Sequence, residues 1–111
     1  MTQPLDLARL LADHRQRPDL WLEFFRIPAM SLGIYKLAKG AVDPQTPHDE
    51  DELYFIVQGT GVLTIDGVEH PFAPGDMFFV GARVEHRFTR FSEGFMTWAV
   101  FWPADGSGGA Q

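Results

Sequence analysis

The 111-residue sequence carries four histidines, His14, His48, His70 and His86, and the neighbourhoods of two of them could do chemistry. His48 opens the run His48-Asp49-Glu50-Asp51-Glu52, so Glu52 follows four residues later. On an unbroken strand four residues span roughly 13 Å, too far for two side chains to share one ion. Asp49-Glu50-Asp51 is turn-prone, and a bend there brings His48 and Glu52 together. A third group must then come from another strand. His86, in Val84-Glu85-His86-Arg87-Phe88, is the best placed because it sits in an amphipathic β run. Two imidazoles and one carboxylate with open positions suit a non-haem Fe(II) site, or Mn, Ni or Zn. Taken singly, the same residues also describe a solvated acidic loop and a structural strand histidine, and both readings stand at this point. His70, between the Asp66-Gly67 turn and Pro71, reads as exposed and structural; His14 reads as solvent-facing.

The elements that must position these groups are mostly strands. Pro4 to His14 reads as a helix, with leucines near helical spacing, a proline suited to the first turn, and Arg17-Pro18 to close it. Apolar runs then follow at Leu20–Ile27, Ser31–Leu37, Glu52–Gln58, Val62–Ile65, Val68–Phe72, Met77–Val80, Val84–Phe91 and Phe95–Trp102. Turn residues separate them, among them Asp66-Gly67, a strong hairpin dipeptide. Such regular spacing without intervening helices predicts an antiparallel sandwich or barrel. The expected organisation is a helical segment over 1–18, a β-barrel over 19–103 and a flexible tail over 104–111. Glu52–Gln58 is apolar on both faces, so its outer face needs cover from the N-terminal strands or from a second subunit.

Composition narrows the function classes. The formal charge is −6, and between Gly40 and Ala82 there are eight acidic residues and no Lys or Arg. That balance argues against binding nucleic acid or an anionic membrane. There is no cysteine, hence no disulfide, zinc ribbon, iron–sulfur cluster or thiol nucleophile. No stretch approaches the roughly 18 apolar residues of a membrane span. The N-terminus lacks the basic start and long apolar run of a signal peptide, so a cytoplasmic location is the expectation.

Two segments resemble the motifs of the cupin superfamily. The first family motif is Gly, five residues, His-x-His, three or four residues, Glu, six residues, Gly. It is matched by Gly40, His48, Glu52 and Gly59, with Thr46 at the first His position. The second is Gly, five residues, Pro-x-Gly, two residues, His, three residues, Asn. It is matched by Gly75 and His86, with Gly81, Arg83 and Arg90 replacing the Pro, the second Gly and the Asn. The resemblance covers roughly Ser31 to Trp102. It implies an all-β fold, a double-stranded β-helix (jelly-roll barrel), here with a short N-terminal helix. Its metal ligands carry over to His48, Glu52 and His86, and water, Gln45 or substrate would take the place of the missing histidine. It also implies a homodimer, as is common among small cupins.

If Glu52 points inward, alternation puts Tyr54 and Ile56 on the same face; His86 takes Phe88 inward, and Arg90 too unless a bulge intervenes. With Tyr35 from a neighbouring strand these residues form a candidate substrate pocket, in which Tyr35 or Tyr54 would orient substrate or transfer a proton. The alternative is that the aromatics fill the barrel. Gly33 beside Tyr35 would leave room for a ligand, or marks a close approach between strands. Trp21, Trp98 and Trp102 read as core or interface residues. A divalent ion held by two neutral histidines and one carboxylate keeps a charge near +1 and favours a small anionic or chelating molecule. The expected function is a metal-dependent non-haem dioxygenase, isomerase or lyase acting on such a metabolite. The alternative is a non-catalytic module binding a metabolite or sugar without a functional metal.

Overall fold

A computed structural model describes residues 6–16 and 20–104. The expected Pro4 helix start, the Arg17-Pro18 stop and most of the 104–111 tail fall outside those residues. Helix α1 spans Leu7–Arg15, with the Asp6 carboxylate capping it by accepting from the Arg9 backbone N–H at 3.3 Å. Eight strands follow: β1 (Trp21–Ile27), β2 (Met30–Leu37), β3 (Asp51–Gln58), β4 (Gly61–Ile65), β5 (Val68–Phe72), β6 (Met77–Val80), β7 (His86–Phe91) and β8 (Phe95–Trp102). They form a five-stranded sheet in the order β1-β2-β8-β3-β6 and a three-stranded sheet in the order β5-β4-β7, every pairing antiparallel. This is the jelly-roll arrangement. Among the described residues, no helix is long and apolar enough to cross a membrane.

Alternation along the strands sends one set of side chains between the two sheets. Tyr35, Tyr54, Ile56, Leu63, Phe72, Phe88, Phe95 and Phe101 pack there. Phe88 is the hub: its ring lies 4.9 Å from that of Tyr54, 4.7 Å from Phe95 and 5.7 Å from Phe72, centroid to centroid. The β4–β5 hairpin turns at Asp66 and Gly67, both left-handed with φ of 49° and 79°, as a two-residue turn of matching twist requires.

The outer face of the larger sheet divides in two. Leu10 and Leu11 of α1 cover Ile34 and Met96, with Phe24, Val57 and Trp98 alongside. Beyond the helix, Phe25, Leu32, Val100, Leu53 and Phe79 line up across all five strands by register. Phe25, Phe55, Met77 and Phe79 on this face are exposed. The N-terminal strands extend the sheet at its edge, and among the described residues nothing covers the outer face of Leu53 and Phe55.

Two histidines differ from the sequence reading. His14 is fully buried, because it lies on the sheet side of α1 and its Nε2 pairs with the Leu20 carbonyl at 3.0 Å. Lys36 Nζ donates to the His14 carbonyl at 2.7 Å, and Arg15 donates to the Gln58 side-chain oxygen at 3.2 Å, so the helix end is tied to β2 and β3. His70 is half-buried, its ring 6.2 Å from that of Phe78. At Gly33 an added Cβ would stand 2.6 Å from two ring carbons of Trp21. The space there belongs to the indole, and Gly33 marks a close strand approach.

Candidate metal centre

The chain bends at Asp49 and Glu50 before β3 begins at Asp51. That bend shortens the distance from His48 to Glu52, and His48 Nε2 lies 3.8 Å from Glu52 Oε1. His86 comes from the other sheet, at the first position of β7, and its Nε2 lies 3.1 Å from the same Glu52 oxygen. One donor atom from each of the three lies within 4.8 Å of the others. With metal–donor bonds of about 2.1 Å, two donors on one ion stand about 3.0 Å apart at a right angle and about 4.2 Å apart when opposite; the 3.1 Å from Glu52 to His86 and the 3.8 Å from Glu52 to His48 fall in that range.

Glu52 and His86 are both nearly inaccessible, each side chain 2 % exposed, whereas His48 is 12 % exposed and forms the open side. Glu52 Oε1 and His86 Nε2 are buried and, among the described residues, have no aligned hydrogen-bond partner. The two atoms face each other at 3.1 Å without an aligned hydrogen bond, so their charges attract while their hydrogen-bonding capacity is left only partly used. A divalent cation fits that need, and the N,N,O donor set suits it chemically. The His86 Nδ1–H donates to the Val84 carbonyl at 2.9 Å, which turns Nε2 toward Glu52. Burial works to lower the His86 pKa. The Glu52 carboxylate, by proximity and charge, more than offsets it, with the Val84 carbonyl and Asp43 adding to the rise above 6.5.

The loop carrying His48 is latched from two directions. The Arg83 backbone N–H donates to the His48 carbonyl at 2.6 Å, and the Ala82 N–H donates to Asp51 Oδ1 at 2.8 Å. Arg83 is left-handed, with φ of 64°, at the position where the cupin motif has its second glycine. This turn over residues 81–84, closed by the Val84 N–H to the Gly81 carbonyl, is why β7 starts at His86 and not at Val84.

Beneath the triad lies a polar network that sequence reasoning largely missed. Asp43, 1 % exposed, accepts from the Tyr35 hydroxyl (2.5 Å), the Gln45 side-chain amide (2.8 Å), the Gln45 N–H (3.2 Å) and the Phe88 N–H (2.9 Å). Gln45 Oε1 in turn accepts from the Tyr54 hydroxyl at 2.9 Å and stands 3.2 Å from His48 Nε2. Burial pushes the Tyr35 pKa well up, helped by the Asp43 charge; burial does the same for Tyr54, helped by Glu52 and then Asp43. Both hydroxyls therefore keep their protons. The polar loop before β3 gave little periodicity from which to read burial. The available signal was Asp43 before a proline, with its carboxylate bonding two residues on.

The remaining pocket candidates divide. Tyr35, Tyr54, Ile56 and Phe88 point inward, where they pack against one another and the other core aromatics. Arg90 does not. Val62 pairs with Arg90 and Leu63 with Phe88, so Thr89 is an extra residue and β7 bulges there. The bulge reverses the alternation, Phe91 takes the inward place, and Arg90 turns out to Glu69 at 3.6 Å with its side chain 68 % exposed.

Comparison with known proteins agrees with this architecture. The family profile described as "Cupin domain" matches residues 33–102. An uncharacterised protein of Streptomyces coelicolor is 35% identical over 99 residues, which is 89% of this chain and 94% of that protein. Among solved structures, KdgF from Halomonas sp. superposes with a TM-score of 0.72 at 20% identity, covering 78% of this chain and 80% of its own. An RmlC-like cupin from Shewanella frigidimarina gives 0.67 at 21% identity, covering 78% of each chain. At these identities the two structures speak for the fold. With the profile spanning both strand-borne motifs and the jelly roll built around them, the chain belongs to the cupin family.

Proposed function

We propose that this protein is a metal-dependent cupin in which His48, Glu52 and His86 hold a divalent ion facing a small anionic metabolite. The observation that carries the reading is the pair of buried, unaligned donor atoms on Glu52 and His86, 3.1 Å apart and open to His48. A bound divalent ion would supply Lewis-acid chemistry toward a chelating anion, or redox chemistry if it is iron. The chain's own residues hold the donors, exclude water on the Glu52–His86 side and leave the His48 side for approach.

Within this reading the reaction is a non-haem dioxygenation, ahead of isomerisation or elimination. Tyr35 and Tyr54 hold their protons and have already committed them to Asp43 and Gln45. They position the loop, and neither supplies the strong side-chain base that isomerisation or elimination calls for. The test is an oxygen-consumption screen of the Fe(II)-loaded protein with small carboxylates and enediols, beside a metal-free control. Uptake that depends on both iron and substrate supports dioxygenation; turnover without uptake supports an isomerase or lyase. The packed aromatic interior favours one other reading, a non-catalytic module binding its ligand at the His48 mouth, which turnover of a bound ligand would exclude. A homodimer formed through the uncovered sheet face, and a cytoplasmic location, belong to the same proposal.

A further inference from the structure

We infer that Gln45 supplies a fourth metal donor through its side-chain oxygen, and that Asp43 sets the direction in which the amide points. The inference rests on the metal-site reading above and goes beyond it by naming what stands in for the missing histidine.

The loop alternates before β3: Asp43 and Gln45 are buried, Pro44 and Thr46 are exposed. Thr46, where the cupin motif has its first histidine, thus faces away, and the donor place passes to the residue before it. Gln45 is only 2 % exposed, so its amide is held inside. An amide can present either end, but an ionised carboxylate only accepts. Gln45 Nε2 donates to Asp43 Oδ2 at 2.8 Å, so Oε1 must be the end that faces His48 and Tyr54. The Tyr54 hydroxyl, which has a proton to give, confirms that assignment from the other side. Arg87 holds the Gln45 backbone carbonyl at 3.3 Å, which limits sliding of the loop.

The distances repeat at both ends of the cluster. Gln45 Oε1 to His48 Nε2 is 3.2 Å, and Glu52 Oε1 to His86 Nε2 is 3.1 Å. Each is close to the spacing of about 3.0 Å for neighbouring donors on one ion. The carbonyl oxygen has a second lone pair free for an ion while it accepts from Tyr54. The donor set becomes two imidazoles and two oxygens, harder than three imidazoles and one carboxylate, which suits manganese or iron.

The test uses the whole protein loaded with Co(II), read by chelator competition for affinity and by its visible absorption bands for the donor set. Wild type is compared with Gln45→Met, Tyr54→Phe, Thr46→Val and His48→Ala. Gln45→Met should weaken Co(II) by at least about tenfold and shift the bands; Tyr54→Phe should weaken it less, as loss of a supporting contact does. Thr46→Val should match the wild type. A Gln45→Met protein with wild-type affinity and bands, beside a His48→Ala protein that has lost the ion, overturns the Gln45 role and leaves the triad standing. A wild type that takes up no Co(II) removes the triad itself and this inference with it. If Gln45→Met loses its cooperative thermal unfolding, Tyr54→Phe decides: unchanged affinity there overturns the inference.

Discussion

Glu52 answers two partners at once, a histidine from its own loop and a histidine from the opposite sheet. Without an ion, its charge favours the protonated form of His86, whose pKa stands above 6.5. A metal must displace that proton before His86 Nε2 can bind it. Metal affinity is therefore expected to climb with pH up to the raised His86 value, which lies above 6.5, and to level off beyond it. Chelator competition across that range checks this; an affinity flat with pH would contradict it. The metal-free protein should behave in the opposite sense. The stabilisation from the His86–Glu52 contact is complete below the unfolded value of 6.5 and is lost as pH rises through the raised folded value. Thermal unfolding of the metal-free protein across the same range reads that trend. These three residues were legible from type and spacing because bend, strand and histidine each left a local signal. Asp43 and Gln45 were not legible as a pair, since their burial depends on a loop lying against β7, a contact between residues 45 apart in the case of Asp43 and Phe88.

The elements explain why the site is held so closely. The turn over residues 81–84 brings the Arg83 N–H to the His48 carbonyl, coupling the start of β7 to the loop before β3. A non-glycine residue in the left-handed region costs about 1–2 kcal/mol. The exposed contact between Arg83 and Asp49 offsets little of that. Arg83→Gly is therefore expected to raise stability by up to about 1 kcal/mol while keeping metal affinity. Arg83→Pro removes the N–H and forbids the turn, and should lower both stability and metal affinity. Urea denaturation and metal competition on the two variants check this; equal loss in both would contradict it. Strand existence and order along the chain followed from periodicity and turn residues. The Thr89 bulge did not, because an extra residue in one strand shows only against the partner's register, and it sent Arg90 outward. His14 is buried and not solvent-facing for a related reason: the helix has a short apolar stripe, and which flank meets the sheet is decided by packing on Ile34 and Met96.

At the scale of the molecule, two sheets enclose an aromatic interior, and the described residues cover only half of one outer face. The row Phe25, Leu32, Val100, Leu53 and Phe79, with Phe55 and Met77 beside it, is a continuous apolar surface of the kind that marks association. A two-fold partner would lay the same face against it. Sedimentation at micromolar concentration is expected to give a dimer for the wild type and a folded monomer for Phe55→Glu, with metal affinity unchanged because the side chain points away from the triad. A monomeric wild type would contradict this. The two-faced apolar strand announced in sequence that something must cover it; which half the helix takes became visible only in the assembled sheet.

The most direct test of the metal centre is elemental analysis of the purified protein beside His48→Ala and Glu52→Ala. A stoichiometric divalent metal is expected in the wild type, either as isolated or after anaerobic Fe(II) loading, and its loss in both variants with the fold retained. A wild type that holds no metal even after loading, or variants that keep it, would contradict the account.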